Sequence, residues 1–126
     1  MAVDANLVLQ ASVTKTDTFN STGVNLPTGT PSRGLVARII YSAATEASGG
    51  KTVIFSIDHS ANNSTWYALA SAANQTITLS TTAQAGEISI PFRTNQPYVR
   101  LTMTLSANTN SPSITYFADV APALPG

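Results

Sequence analysis

Apolar and polar residues alternate along the regular segments of this chain. In YVRLTMTL, from Tyr98 to Leu105, every second residue from Val99 onward is apolar, and the residues between are Arg or Thr. Side chains of a strand point alternately to its two faces, so this period of two predicts a half-buried strand. The segments LVARIIY (35–41) and ITYFADV (114–120) show the same alternation and predict two more strands of this kind.

Five shorter segments have the composition of strands, because β-branched and aromatic residues dominate them. They are LVLQASV from Leu7, TVIFSID from Thr52, WYALA from Trp66, QTITLS from Gln75 and EISIPF from Glu87. Stretches such as EASGGK and RTNQP separate them and are typical of turns. About eight short strands with turns at intervals of roughly ten residues predict an all-β fold, a single antiparallel β-sandwich of jelly-roll type.

The alternation also predicts which side chains form the core. These are Leu35, Ile39, Val53, Phe55, Ile57, Ile77, Leu79, Ile88, Ile90, Val99, Leu101, Met103, Ile114 and Tyr116. A length of 126 residues fits one domain, and no repeat, linker or charge block divides residues 1–126. Three segments lack clean alternation, and we interpret them as an N-terminal arm (1–8), a long excursion (18–34) and a C-terminal tail (121–126).

The charge composition excludes several classes of partner. Only 10% of the residues are charged, and six basic side chains balance six acidic ones. Binding to nucleic acid or to an anionic membrane surface depends on a basic patch, so neither partner is expected. No apolar run approaches the about 18 residues of a membrane span, and MAVDANLVLQ does not resemble a secretion signal. We therefore expect synthesis in the cytoplasm and a place within an assembly, since a neutral domain is poorly protected against self-association.

The stretch Asp58-His59-Ser60 holds the only histidine and invites a catalytic interpretation. It ends one predicted strand and runs into Ala61-Asn62-Asn63-Ser64, which is the pattern of a β-hairpin. Neighbouring residues of a strand point to opposite faces, so Asp58 cannot orient the His59 ring as a triad carboxylate would. We expect a structural turn and no enzyme.

Metal and cofactor sites have little support in the sequence. The chain has no cysteine, one histidine and scattered carboxylates, which cannot form a zinc or iron site. Calcium binding by Asp58, Asn62 and Asn63 lacks the acidic ladder of a calcium loop. We expect no cofactor and no metal.

Trp66 and Tyr67 leave a binding module open as an alternative. With the loop Asn62-Asn63-Ser64, the two rings could form a platform on which a sugar stacks. The single tryptophan of a small β-domain is more often a core or interface residue, and this is the interpretation that we favour for Trp66.

Four segments together resemble a known family. VIFSIDHSANNSTWYALA (53–70), PYVRLTMTLS (97–106), VDANLVLQASVT (3–14) and TGTPSRGL (28–35) resemble the small jelly-roll capsid cement proteins, or decoration proteins, of tailed bacteriophages. The hairpin pattern S-x-x-x-S-T-W is also similar to discoidin-type and other carbohydrate-binding β-sandwiches. The first resemblance implies a structural virion protein, made in the host cytoplasm, that lies on the capsid exterior and stabilises the shell.

The implied partners are the major capsid protein and further copies of the chain, as a homodimer or homotrimer. We expect capsid or oligomer contacts from the segments that the sandwich pattern does not explain. The candidate residues are Val3, Leu7, Leu9, Phe19, Pro27, Pro31, Arg33 and Leu124. The alternatives are a carbohydrate-binding module, a phage tail or spike component, and a fibre or pilus subunit.

Overall fold

Ten β-strands and no helix make up the parts of the chain that the structure, a computed structural model, describes: residues 7–26, 34–69, 74–107 and 109–122. The strands are β1 (Leu7–Lys15), β2 (Phe19–Asn20), β3 (Val24–Asn25), β4 (Leu35–Thr45), β5 (Thr52–Ser60), β6 (Tyr67–Ala68), β7 (Gln75–Thr78), β8 (Gln84–Phe92), β9 (Tyr98–Leu105) and β10 (Ser113–Pro122). Within the described residues, no helix is long and apolar enough to cross a membrane.

The strands form two antiparallel sheets. The four-stranded sheet has the order β1-β10-β4-β8, and the six-stranded sheet is centred on the pair β9-β5. The short strands β2 and β3 both pair with β9, and β6 and β7 both pair with β5. If each of these short pairs counts as one interrupted strand, eight strands remain, and the chain changes sheet at every connection except the one after β5. This is the jelly-roll arrangement of two four-strand layers, and it confirms the predicted fold.

The core lies between the two sheets and is formed by the residues that the alternation selected. Of the predicted core set, all are buried except Ile88, which packs partly buried against the others. The rings of Phe55 on β5 and Tyr116 on β10 meet edge to face across the two sheets, with centroids 5.2 Å apart. Burial raises the pKa of Tyr116 to about 12, because the ionised phenolate would lose its hydration.

The segments interpreted as arms are in part strands of the sandwich. Leu7 and Val8 begin β1, where they pair with Val120 and Asp119 of β10. Within the excursion 18–34, both β2 and β3 add to the edge of β9. Two-residue strands carry no period, so the pattern of this segment could not reveal them. The rest of the three segments, at 1–6, 27–33 and 123–126, lies outside the described residues.

Candidate functional site

The carboxylate of Asp58 lies on the outward face of the six-stranded sheet. It accepts hydrogen bonds from Arg100 Nε at 3.0 Å and from the Thr102 hydroxyl at 2.7 Å. Both donors are on β9, and Arg100 is directly opposite Asp58 in the β5–β9 register. The side chain therefore links the two central strands of the sheet in a charge-assisted network.

His59 is engaged elsewhere, so the two residues do not form a catalytic dyad. Its Nδ1 lies 2.7 Å from the hydroxyl of Thr94, a buried side chain that also accepts a hydrogen bond from the Gln96 N–H at 3.0 Å. Asp58 and His59 have separate sets of partners, as expected for neighbours in a strand.

Ser60 and Asn62 build the turn that follows β5. The Ser60 hydroxyl oxygen accepts hydrogen bonds from the N–H groups of Asn62 and Asn63, at 3.2 and 3.0 Å. The Asn62 side-chain oxygen accepts from the N–H groups of Ser64 and Thr65, both at 2.9 Å. Asn63 adopts the left-handed conformation, with φ of 60°, which asparagine tolerates well. These polar side chains hold the turn and are occupied in doing so.

Trp66 lies outside the core, so of the two placements that we favoured for it, core or interface, the core placement is wrong and the interface placement stays a prediction. Its side chain is half-buried, and the guanidinium carbon of Arg100 lies 4.6 Å from the ring centroid in a cation–π contact. The ring edge also lies against Gly23, where an added Cβ would approach Trp66 Cζ2 to 2.7 Å. The indole therefore covers the end of the Asp58–Arg100 network.

Tyr67 cannot share a platform with Trp66. In the β5–β6 register Tyr67 is opposite His59, whereas Ala68 is opposite Asp58. The Tyr67 side chain, 64% exposed, therefore leaves the sheet on the side away from Asp58, while Trp66 contacts Arg100 on the Asp58 side. The predicted two-ring platform reduces to a single half-buried indole.

A second surface of interest is the outward face of the four-stranded sheet. Its centre is the ion pair between Arg38 Nη2 of β4 and Asp119 Oδ2 of β10, at 2.9 Å. The hydrogen bond to Asp119, strengthened by its charge, raises the pKa of Arg38. Along β4, Val36 and Ile40 flank the arginine.

We call this surface the Ile40 face. It comprises Val8 of β1, Val36, Arg38 and Ile40 of β4, Phe117, Asp119 and Ala121 of β10, and Glu87, Ser89 and Pro91 of β8. Two of its large apolar side chains are well exposed, Val8 at 47% and Ile40 at 44%. Phe117 is half-buried directly opposite Ile40. The outward face of the six-stranded sheet differs, because its central positions are Ser56, Asp58, Arg100, Thr102 and Thr104 around a single Ile54.

The loops at one end of the sandwich meet at a buried carboxylate. Glu46, fully buried directly after β4, accepts hydrogen bonds from the Ser48 hydroxyl at 2.7 Å and from the Lys51 N–H at 3.3 Å. Lys51 Nζ lies 3.6 Å from the same carboxylate. The hydrogen bond from Ser48 lowers the pKa of Glu46, and the Lys51 contacts lower it further against the opposing effect of burial.

The predicted contact residues are scattered. Leu9 is buried in the core, where it packs against the sandwich and offers no exposed contact. Phe19 on β2 packs partly buried against the core, with Lys15 Nζ 3.7 Å from its ring centroid. Leu7 is paired through its backbone in β1. The other candidates, Val3, Pro27, Pro31, Arg33 and Leu124, lie outside the described residues.

The Ile40 face was not among the predicted contacts, although the sequence contains a signal for it. Ile39-Ile40 and Tyr116-Phe117 place apolar residues at adjacent positions of strands that otherwise alternate. One member of each pair must face away from the core. Within the described residues, no group of three or more metal-ligating side chains is present.

Comparisons with known proteins bear on the fold. No family model matches the chain, and no curated protein matches it. A solved structure described as "CBM4 structure and function" is similar at a TM-score of 0.50 and 18% identity, over 84% of this chain and 61% of that one. The insecticidal delta-endotoxin Cry8Ea1 from Bacillus thuringiensis is similar at a TM-score of 0.54 and 11% identity, over 90% of this chain and 20% of the toxin. The chain thus spans less than two thirds of either protein, and at such identities the likeness shows the β-sandwich fold.

Proposed function

We propose that this chain is a capsid cement protein, a non-catalytic virion component that binds the outer surface of a phage head and stabilises the shell. The observation that carries the proposal is the internal pairing of charge. Among the described residues, six charged side chains form ion pairs with one another: Arg38–Asp119, Lys51–Glu46 and Arg100–Asp58. On a chain with a formal net charge of zero, this leaves little long-range field to steer a partner.

Contacts with the major capsid protein then rest on apolar and hydrogen-bonding groups. The strands β1 and β8 are the outer strands of the four-stranded sheet, and each runs for nine residues. Outer strands offer backbone groups to which a partner strand can add. The residues of the Asp58-His59-Ser60 stretch support a structural role, because all three are engaged in hydrogen bonds that hold the sheet or its turn.

Binding to shells tests the proposal. Shells of the phage that encodes the chain, assembled without it, are mixed with purified protein, and co-sedimentation and heat resistance are measured. We expect saturable binding, a higher temperature of shell disruption, and little change in binding between low and molar salt. A variant lacking residues 1–6, which leaves β1 intact, measures the contribution of the N-terminal segment.

Asp58→Asn provides the matched control, since the hydrogen-bond network of Asp58 lies on the outward face of the six-stranded sheet, away from the outer strands β1 and β8. This variant is expected to bind shells as the unaltered protein does. Protein that fails to bind shells at any salt concentration contradicts the cement assignment. Binding that disappears in molar salt contradicts the argument from paired charges.

The half-buried Trp66 favours one further candidate, a carbohydrate-binding module. Its indole lies on the outward face beside Arg100 and Asp58, where a ring and polar groups meet. Addition of a polysaccharide panel would shift the Trp66 fluorescence of such a module, and Trp66→Phe would weaken retention on the sugar. Tyr67→Ala serves as the control, because the Tyr67 side chain lies on the opposite side of the sheet from Trp66.

A further inference from the structure

The Ile40 face has the composition of a surface that is covered by a partner. Ile40 and Phe117 form an apolar cross-strand pair on one side of the Arg38–Asp119 ion pair, and Val36 and Ala121 form another on the other side. Val8 and Pro91 extend the apolar area to both outer strands. Aromatic and aliphatic side chains around a central arginine are typical of the middle of a protein interface.

The opposite sheet provides an internal comparison. Its outward central positions are mostly Ser, Thr and the charged pair Asp58–Arg100, which suits contact with water. Both sheets belong to the same small domain and contribute buried residues to its core. Folding alone therefore does not require the outer face of one sheet to be more apolar than that of the other. The apolar composition of the Ile40 face indicates that this face contacts protein.

We propose that the Ile40 face binds the Ile40 face of a second copy of this chain, forming a two-fold symmetric dimer. In such a dimer the same patch contributes from both copies and must complement itself. The Ile40 face can meet this condition through Arg38 and Glu87, opposite charges that both keep exposed area, whereas Asp119 is buried against Arg38 of its own copy. A two-fold axis that passes between Arg38 and Glu87 brings the Arg38 of each copy towards the Glu87 of the other.

The exposure of the charged groups agrees with this arrangement. The Arg38 side chain is 43% exposed, so part of the guanidinium remains accessible beyond its hydrogen bond to Asp119. Glu87, on the neighbouring strand β8, is exposed. The formal net charge of zero removes the repulsion that opposes association of identical chains.

The size of the face fits a weak, reversible pair. Its residues span five positions along each of three strands, with Val8 on a fourth, so spacings of about 4.8 Å between strands and about 3.3 Å per residue give a planar footprint on the order of 300 Å². This is below the roughly 800 Å² per partner of a standard interface, so the pair is expected to dissociate on dilution. Two sheets stacked in this way continue the layered packing of the sandwich itself.

The proposal goes beyond the cement function and does not depend on it, because the purified chain alone tests it. Sedimentation velocity of the full chain is measured over a dilution series from micromolar to near-millimolar concentrations. We expect a reversible monomer–dimer equilibrium that persists in molar salt. Ile40→Glu buries two carboxylates per dimer, one from each copy, so the dissociation constant should rise by at least about a hundredfold.

Ile54→Glu is the matched control, since Ile54 lies on the outward face of the six-stranded sheet between Thr104 and Thr76. This variant should dimerise as the unaltered chain does. Ile40→Thr, which keeps a β-branched side chain suited to a strand, should weaken the dimer by about tenfold and guards against misfolding of the glutamate variant.

Two outcomes overturn the proposal. The first is an unaltered chain that is monomeric throughout the dilution series, even if it binds shells; loss of that shell binding in Ile40→Glu would then assign the Ile40 face to the capsid. The second is a dimer that Ile54→Glu weakens as strongly as Ile40→Glu.

Discussion

Glu46 shows how one buried side chain organises a whole end of the sandwich. Its carboxylate accepts hydrogen bonds from Ser48 and Lys51, and its backbone N–H donates to the Ser80 carbonyl at 3.0 Å. The next residue, Ala47, donates its N–H to the Asn110 carbonyl at 2.8 Å. Three loops that are distant in sequence therefore meet at this residue.

Glu46→Gln is expected to destabilise the domain at neutral pH, because the Lys51 ammonium loses its counter-charge. The pKa of Glu46 in the folded chain lies below its ordinary value of 4.5, so its charge stabilises the fold above that value. This contribution is lost as pH falls through the folded pKa. Melting temperatures of the two proteins should therefore differ near neutral pH and converge in acid.

Glu87→Gln, measured on protein dilute enough to be monomeric, is the control for this pH dependence, since Glu87 is exposed on β8. Its melting temperature should follow that of the unaltered chain at every pH. Curves for Glu46→Gln that run parallel to the unaltered chain down to acid pH would show that the Glu46 charge makes no such contribution.

Phe55 and His59 lie on the same strand, β5, and have unequal roles. Phe55 is fully buried against Tyr116, and Phe55→Ala should lower the free energy of unfolding by about 3–5 kcal/mol through the cavity that it leaves. His59→Ala removes one hydrogen bond to Thr94, which still accepts from Gln96, so a loss of about 1 kcal/mol is expected. Urea denaturation measures the free energy of unfolding of both variants. Equal losses of stability in Phe55→Ala and His59→Ala would contradict these unequal roles. A hydrolytic activity that His59→Ala abolishes would contradict the structural role of His59.

At the scale of elements, the hairpin after β5 is held against the connection between β2 and β3. Gly23 makes this contact possible, because a Cβ there would approach Trp66 Cη2 to 2.8 Å and would collide with the Asn63 side-chain oxygen. Gly23→Ala should therefore push the indole outward, cost about 1–3 kcal/mol and shift the Trp66 emission towards the red.

Thr22→Ala is the neighbouring control for this contact, since Thr22 is exposed. It should change neither the stability nor the fluorescence. An unchanged emission spectrum in Gly23→Ala would mean that Trp66 does not rest on this glycine in solution.

The long strands could be predicted from the sequence because each carries enough residues to show a period. Strands β4, β9 and β10 alternate over seven residues or more, and their inward residues are those of the core. Strands β2 and β3 have two residues each and form because β9 offers them backbone partners. Such pairing depends on the tertiary fold and leaves no local pattern, whereas the equally short β6 lies within the predicted segment WYALA, whose composition indicated a strand.

The same limit determines which features of the candidate sites could be predicted from the sequence. Neighbours in β5 could be assigned to opposite faces from the period alone, which separated Asp58 from His59 correctly. The position of Trp66 could not be predicted, because its surroundings come from Gly23 and Arg100, which are far away in the chain. The Ile40 face arises only when four strands from both ends of the sequence lie side by side.

At the scale of the whole molecule, the two outer faces differ in composition. The six-stranded sheet presents hydroxyl groups and a paired charge, whereas the four-stranded sheet presents the apolar Ile40 face. The cement function that we propose requires at least one surface that tolerates water and another that binds protein. Many copies on a symmetric lattice would strengthen weak individual contacts through multivalency.

The path of the chain also determines how this molecule folds. The first strand β1 pairs with the last strand β10, and Val8 lies opposite Asp119. The strand β10 lies between β1 and β4, so the complete four-stranded sheet requires the first and last described strands to come together. Loops this long must close before their contacts stabilise anything, which makes folding slow.

Refolding after dilution from urea, followed by Trp66 fluorescence in a stopped-flow instrument, should have a major phase of milliseconds to seconds. Removal of residues 113–126 should abolish the cooperative transition, whereas removal of residues 1–6 should preserve it, because β1 begins at Leu7. A major phase in the microsecond range, or a cooperative transition without β10, would mean that the pairing of the chain ends does not limit folding.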